Sequence, residues 1–360
     1  MPIDHAACVP LHGCRSLAVF RALQLGDILC AVPALRALRQ SVPGARITLV
    51  GLPWACAFAA RFRRYIDDFV AFPGTAELPE QPPDVARLPA FFSDMQARRF
   101  DLAIQMHGSG VQTNAIVARF GARHSAGFYA GDGPAPDATH FLRYPFGFHE
   151  VRRNLRLVEW LGAAAAGEDL EFPLTQDDRE ELSAIRDARS LSPGRYACLH
   201  AGARNPAKRW PIERFAQVGD ALHDCGLQIV LTGSGAERPI AEAVARAMRA
   251  PSRNLALPIS VGAMATLMAD ARLIVTNDTG VSHVATGLHV PSVVVFFATD
   301  PSQWAPLDTR LHRSVYRPHD VDVASVLNAA LELLDDTDTR AAPTMRGSRV
   351  PRPPATLRRA

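Results

Sequence analysis

The chain has 360 residues, 48% of them hydrophobic and 21% charged, a balance that suits two globular domains with real cores and excludes a disordered chain. Its formal charge of +3 misleads, because the last 21 residues, "RAAPTMRGSRVPRPPATLRRA", hold six arginines and no acid; the remaining body is net acidic, which argues against a nucleic-acid partner. No apolar run approaches the roughly 18 residues of a membrane span, and six cysteines without a CxxC pair suit a reducing compartment, so a cytoplasmic protein is expected.

Residues 1–16 read as a leader without the charged and apolar regions of a secretory signal. Its His5, Cys8, His12 and Cys14 match no common zinc spacing, and no metal is expected there. From "LAVFR" (17–21) the chain alternates strand candidates with helical spacing, the pattern of parallel sheets covered by helices. Ile28, Val32, Leu35 and Leu38 share one helical face, and Pro33 is expected to kink that helix. "ARITLVG", "DDFVAF" and "DLAIQM" supply further strands up to residue 106.

Between about 130 and 192 the rhythm loosens around "GDGPAPDA", "GAAAAGED" and "DARSLSPG", which places a domain boundary near 165–190. The pattern restarts with "YACLHAG", a helix bearing Ile212, Phe215, Gly219 and Leu222 that stops at Gly226, and the strand "LQIVLTG". A helix from Met264 leads to "RLIVTND". A last helix carries Val323, Val326, Leu327, Ala330, Leu331 and Leu334 as an apolar stripe that must dock on one of the domains. The basic end beyond it is Pro- and Arg-rich, the composition of a disordered tail, and anionic lipid is one partner such a tail can meet.

In open α/β sheets, ligands bind where strands end and loops enter helices. Four such loops concentrate polar residues: "QLGD" (24–27), "HAGARNPAKRW" (200–210), "TGSGAE" (232–237) and "NDTGVSH" (277–283). A helix opening at Gly280 offers free N–H groups and a positive dipole end to a phosphate, with Thr279 as a further donor. Asp278 is either the cap of that helix or a ligand-site carboxylate, and His283 lies in its first turn. An aspartic protease is excluded, because Asp-Thr-Gly occurs once and is followed by helical rather than strand spacing. Lys208 can meet a phosphate as a point charge, although "GARNPAKR" departs from a P-loop at Ala207 and Arg209. Glu237 is a helix-start charge or a ribose acceptor, "TGSGAER" misses GxGxxG at Arg238, and no serine sits in GxSxG. Asp27 is a helix cap or a base facing a cleft.

Taken together, "LGDILCAVPALRAL", "GARNPAKRWPIERFAQV", "LTGSGAE", "TNDTGVSHVATGLHVPSVVVFF" and "DPSQWAP" resemble the heptosyltransferases of glycosyltransferase family 9. The resemblance implies the α/β GT-B fold, two Rossmann-like doubly wound domains with an interdomain cleft: an acceptor domain over 17–170, a nucleotide-sugar donor domain over 171–320, a C-terminal helix over 321–337 and a basic tail over 338–360. It implies an inverting, metal-independent transfer of a sugar from a nucleotide diphosphate such as ADP-heptose, a co-substrate rather than a cofactor, to a glycan or glycolipid acceptor such as lipopolysaccharide. Peripheral contact with the inner membrane would follow from such an acceptor. By the same resemblance Asp27 is the base, Lys208, Asp278, Thr279, Gly280 and His283 hold the donor diphosphate, Glu237 meets the ribose and Ile259 the nucleobase. His107 and Asn114 in "QMHGSGVQTN", and Arg61 and Arg64, are candidates for acceptor binding by location and charge. The alternatives are a nucleotide-sugar epimerase of the same two-domain plan and a non-catalytic nucleotide-sugar binder.

Overall fold

The computed structural model describes residues 11–131, 135–137 and 139–341. Six strands, β1 (Ser16–Phe20), β2 (Arg46–Gly51), β3 (Asp68–Ala71), β4 (Leu102–Gln105), β5 (His124–Tyr129) and β6 (Phe141–Arg143), form one sheet in the order β3-β2-β1-β4-β5-β6. A second sheet holds β7 (Tyr196–His200), β8 (Gln228–Ser234), β9 (Ser252–Leu257), β10 (Leu273–Asn277), β11 (Ser292–Phe296) and β12 (His312–Tyr316), in the order β12-β11-β10-β7-β8-β9. All pairings are parallel. Both sheets are wound alike: the first strand is central, the next two continue to one side and the last three to the other. The winding therefore reverses between β1 and β4 in one sheet and between β7 and β10 in the other, the crevices where open α/β sheets take ligands.

Central strands are apolar on both faces because helices cover both; β7, β10 and β11 are buried along their whole length. The strands that periodicity does not reveal are β5, β6, β9 and β12. Three of these are sheet edges, where half-exposed polar residues break the apolar run, as "HRSVY" does in β12.

The first expected helix is two: α1 (Leu25–Leu29) and α2 (Val32–Ser41). Pro33 sits in the first turn of α2, where a missing N–H has no intrahelical partner to lose, so it starts a helix instead of kinking one. Then follow α3 (Ala55–Arg61), α4 (Leu88–Ala97), α5 (Thr113–Ala118), α6 (Glu150–Trp160) and α7 (Gln176–Ala184). In the second half come α8 (Ile212–Asp224), α9 (Arg238–Ala247), α10 (Val261–Ala269), α11 (Gly280–Gly287), α12 (Pro301–Trp304) and α13 (Val323–Ala341). Gly226, at φ 88°, ends α8 in the left-handed region that favours glycine. The last helix docks on the second sheet through Val326, Ala330 and Leu333, and it runs on to Ala341, past the expected end at 337. Residues 342–360, with most of the expected tail, lie outside the described residues, as do 1–10 of the expected leader.

The two halves meet through α1 and α11. Ile28 and Leu29 belong to the same apolar cluster as Val281, Val284 and Ala285, so the core continues across the seam. Among the described residues no helix is long and apolar enough to cross a membrane.

Candidate functional site

The carboxyl ends of the two sheets face a common cleft of about 810 Å³, and Asp27, Lys208, Glu237, Ile259, Asp278, Thr279, Gly280 and His283 all line it. Asp27 comes from the helix start that follows β1, Lys208 from the connection after β7 and Asp278 from the turn after β10. Each lies at one of the two winding reversals. One surface therefore gathers a carboxylate from the first half and an ammonium and a helix N-terminus from the second.

Asp27 lies in the first turn of α1, whose preceding residue Gln24 makes no side-chain cap. Its backbone carbonyl accepts from Arg21 Nε (2.9 Å) and Nη2 (2.6 Å). Arg21 is 1% exposed, ion-pairs with Glu150 at 2.9 Å and reaches Asn154 Oδ1 at 3.1 Å. Arg153 completes the cluster by pairing with Glu150. Burial pushes the Asp27 carboxyl above its ordinary range, the Arg21 charge opposes this, and the Glu150 charge adds to it. The side chain is thus a poorly solvated carboxyl at a cleft wall, the environment of a proton acceptor. Sequence reasoning missed Arg21, Glu150, Arg153 and Asn154. An arginine closing the apolar strand "LAVF" was the one available signal, since a charge buried at a strand end requires a partner.

Asp278 is not the helix cap. Thr279 takes that position, its Oγ1 accepting from Val281 N at 3.3 Å. The Asp278 carboxylate is instead 2.8 Å from Lys208 Nζ and accepts from Thr299 Oγ1 at 2.7 Å. It is nearly fully buried while Lys208 keeps a face to the cleft, so Asp278 aims the ammonium beside the N-terminus of α11. The lysine loop is pinned from below by Asn277, which is wholly buried, accepts from Trp210 N (3.0 Å) and donates to Ala201 O (2.9 Å).

Glu237 closes a reciprocal cap with Ser234, its Oε2 accepting from Ser234 N and Oγ, both at 2.8 Å. Burial raises its carboxyl, but the His200 imidazole 4.0 Å from Oε1 and the Ser234 donors outweigh this and leave it below its usual range. A Cβ on Gly202 would stand 2.3 Å from Oε1, so glycine there leaves the carboxylate room beside the cleft.

His283 is 4% exposed, and burial pushes it down to about 4, so it is neutral near pH 7. Its Nδ1 lies 3.7 Å from Cys30 Sγ across the seam. A Cβ on Gly26 would fall 2.8 Å from His283 Cδ2 and 3.3 Å from Gly280 Cα. The N-termini of α1 and α11 abut because glycine stands at both contacts.

The acceptor-side candidates separate. His107 follows β4, stacks on Phe20 at 5.5 Å and lies 3.5 Å from Glu80; Asn114 Nδ2 donates to Phe128 O at 2.9 Å. His107 follows β4, the neighbour of β1, Asn114 lies in the first turn of α5, and neither lines the cleft itself. Arg61 and Arg64 are elsewhere. Arg61 donates to Asp178 Oδ1 at 2.8 Å and to Pro173 O at 2.7 Å, with its guanidinium over Phe172, and Arg64 pairs with Glu171. Their charges fasten α3 to the connection between the two sheets, which leaves Arg61 little to offer an acceptor phosphate. Among the described residues no group of three or more His, Cys, Asp or Glu side chains is arranged to hold a metal ion.

Residues 89–320 match the family described as glycosyltransferase family 9 (heptosyltransferase). The chain is 27% identical over 294 residues to lipopolysaccharide heptosyltransferase 1 of Escherichia coli K12, covering 79% of this chain and 88% of that one. In fold it is similar to a family 9 glycosyl transferase from Veillonella parvula, with a TM-score of 0.76 at 20% identity over 89% of this chain and 97% of the other. It is likewise similar to the E. coli ADP-heptose lps heptosyltransferase II, with a TM-score of 0.69 at 21% identity over 90% and 99%. The shared fold is the GT-B architecture.

Proposed function

Because the chain belongs to glycosyltransferase family 9, and is therefore a glycosyltransferase, we propose that it moves a heptose from ADP-heptose to a hydroxyl of a lipopolysaccharide acceptor, with inversion at the anomeric carbon. Support for the donor comes from the names of the relatives, and for the chemistry from one observation: Asp27 faces Lys208 and the α11 N-terminus across a single cleft. Asp27 takes the proton of the acceptor hydroxyl as its oxygen attacks, while the nucleoside diphosphate leaves from the opposite face. Lys208, held by Asp278, and the N–H groups of Thr279 and Gly280 meet the charge that grows on the leaving diphosphate. Glu237 receives the ribose hydroxyls, Ile259 lies against the base, and His283 keeps the seam closed and dry. The charge of the leaving group is then balanced by protein donors, and a rate insensitive to chelator is expected. The protein works in the cytoplasm, at the face of the membrane that presents the glycolipid acceptor.

The test is thermal stabilisation by ADP, UDP, GDP and CDP, on wild type and Lys208→Ala. Ligand at about 100 times its Kd adds roughly 2.7 kcal/mol to the native state. ADP alone is expected to stabilise, with most of the effect gone in Lys208→Ala. Preference for UDP or GDP would reject the ADP-heptose donor. An altered free sugar released without any acceptor would instead mark an epimerase.

A further inference from the structure

Residues 73–84 connect β3 to the segment that opens α4, and they form a closed loop. Asp84 N donates to Pro73 O at 2.9 Å across its neck, Gln81 Nε2 donates to Phe72 O at 2.8 Å, and Leu78 is buried in the core beneath. A loop with joined ends and its own anchoring side chains is a compact unit and a frequent carrier of function. Its Glu80 backbone carbonyl accepts from Gln24 Nε2 and from Arg204 Nη2, each at 3.5 Å. Gln24 and Arg204 both line the cleft and belong to opposite halves of the molecule. At 3.5 Å both are long for hydrogen bonds, so the loop is tied to the cleft residues only weakly.

Under the loop lie polar atoms that find no partner. Glu80 Oε1 is 3.5 Å from His107 Nε2, but Glu80 Oε2 is enclosed and unpaired, as are His107 Nδ1 and Asn114 Oδ1. The His107 side chain is only 7% exposed. Enclosed polar atoms without partners cost free energy and are rare in folded proteins. Here they stand on the loop (Glu80), directly after β4 (His107) and in the first turn of α5 (Asn114), around a turn that Gly108 and Gly110 bend at φ 68° and 89°. The Glu80 carboxylate is held below its usual range, first by His107 and further by the Arg204 charge. Its free oxygen and the Asn114 amide oxygen only accept hydrogen bonds. A phosphate or carboxylate brings lone pairs and like charge to such a place, whereas a sugar ring brings hydroxyl hydrogens.

We propose that Glu80, His107 and Asn114 form the subsite for the hydroxyl face of the acceptor sugar, and that the 73–84 loop lifts from Gln24 and Arg204 to admit it and closes over it. The inference rests on the transferase reading above. It assigns acceptor recognition to hydrogen-bonding side chains that suit sugar hydroxyls, in place of the Arg61 and Arg64 cluster.

The experiment measures initial rates with ADP-heptose and heptose-deficient lipopolysaccharide for wild type and Glu80→Gln, together with amide hydrogen exchange of 73–84 and 105–114 in ADP-saturated protein with and without that acceptor. Loss of a charged hydrogen-bond acceptor is expected to raise the acceptor KM about tenfold or more, with stabilisation by ADP unchanged. Exchange in both segments should slow on adding acceptor to wild type and not to Glu80→Gln. An acceptor KM within about twofold of wild type overturns the subsite while leaving the transferase intact. Slowed exchange in wild type without turnover rejects the transferase and keeps the subsite; no slowing in wild type overturns the subsite. If Glu80→Gln loses its ADP stabilisation through misfolding, His107→Gln is judged by the same two readouts.

Discussion

Asp27 carries a carboxyl raised by burial and by Glu150 against the pull of Arg21, and the sign of that shift can be read twice. As a base it must be ionised, so kcat/KM is expected to fall as the pH drops through a pKa above the ordinary carboxylate range, and the acidic limb of a pH–rate profile reports it. For stability, the folded state holds this proton more tightly than the unfolded chain does, so the contribution is present at low pH and is lost as the pH rises through the folded pKa. Asp27→Asn is therefore expected to lose about 100-fold or more in transfer while melting at or above the wild-type temperature at pH 7 and keeping its stabilisation by ADP. Full turnover in that variant would remove Asp27 from its role. For Asp278, local spacing allows a cap or a ligand-site charge, and the cap is Thr279. A carboxylate at a strand end next to a buried lysine contact is committed by tertiary geometry, which local spacing does not carry.

At the scale of elements, the site is a meeting of helix starts. Short α1 and α11 point their N-termini at one another, and Gly26 and Gly280 allow the approach. Two positive dipole ends repel unless an anion or a carboxylate lies between them, which is consistent with a diphosphate in the cleft and with Asp27 in the first turn of α1. Gly26→Ala is expected to cost about 1–3 kcal/mol, since the new methyl meets a buried imidazole that has nowhere to go. It should weaken ADP binding through the displaced α11. Denaturant melts with and without ADP check both parts, and an unchanged midpoint would show that the seam has slack. The loops themselves were legible in the sequence, because an apolar run followed by glycine, a charge and helical spacing marks the carboxyl end of a parallel strand. The edge strands β6 and β12 and the break between α1 and α2 were not, because half-exposed strands and a proline near a helix start leave no distinct period.

Across the whole molecule, buried imidazoles couple stability to pH. Burial holds His283 and His312 down to about 4, against about 6.5 in an unfolded chain. Between those values the unfolded state binds more protons, so stability is complete above about pH 6.5 and declines as the pH falls toward about 4. The melting temperature is expected to drop over that window, and less steeply in His312→Gln, which lies outside the 810 Å³ cleft. Parallel slopes would place the acid sensitivity elsewhere.

By itself the sequence determined the α/β class and the loops and residues that line the cleft, because each is written in a few consecutive side chains. Only the tertiary structure decided which of them serve one another. Lys208 meets Asp278 across 70 residues and Arg21 meets Glu150 across 129, and Arg61, expected at an acceptor, is bound to Asp178. Those partnerships depend on strand order and on how two sheets face each other, and periodicity along the chain is the same for every order the strands could take.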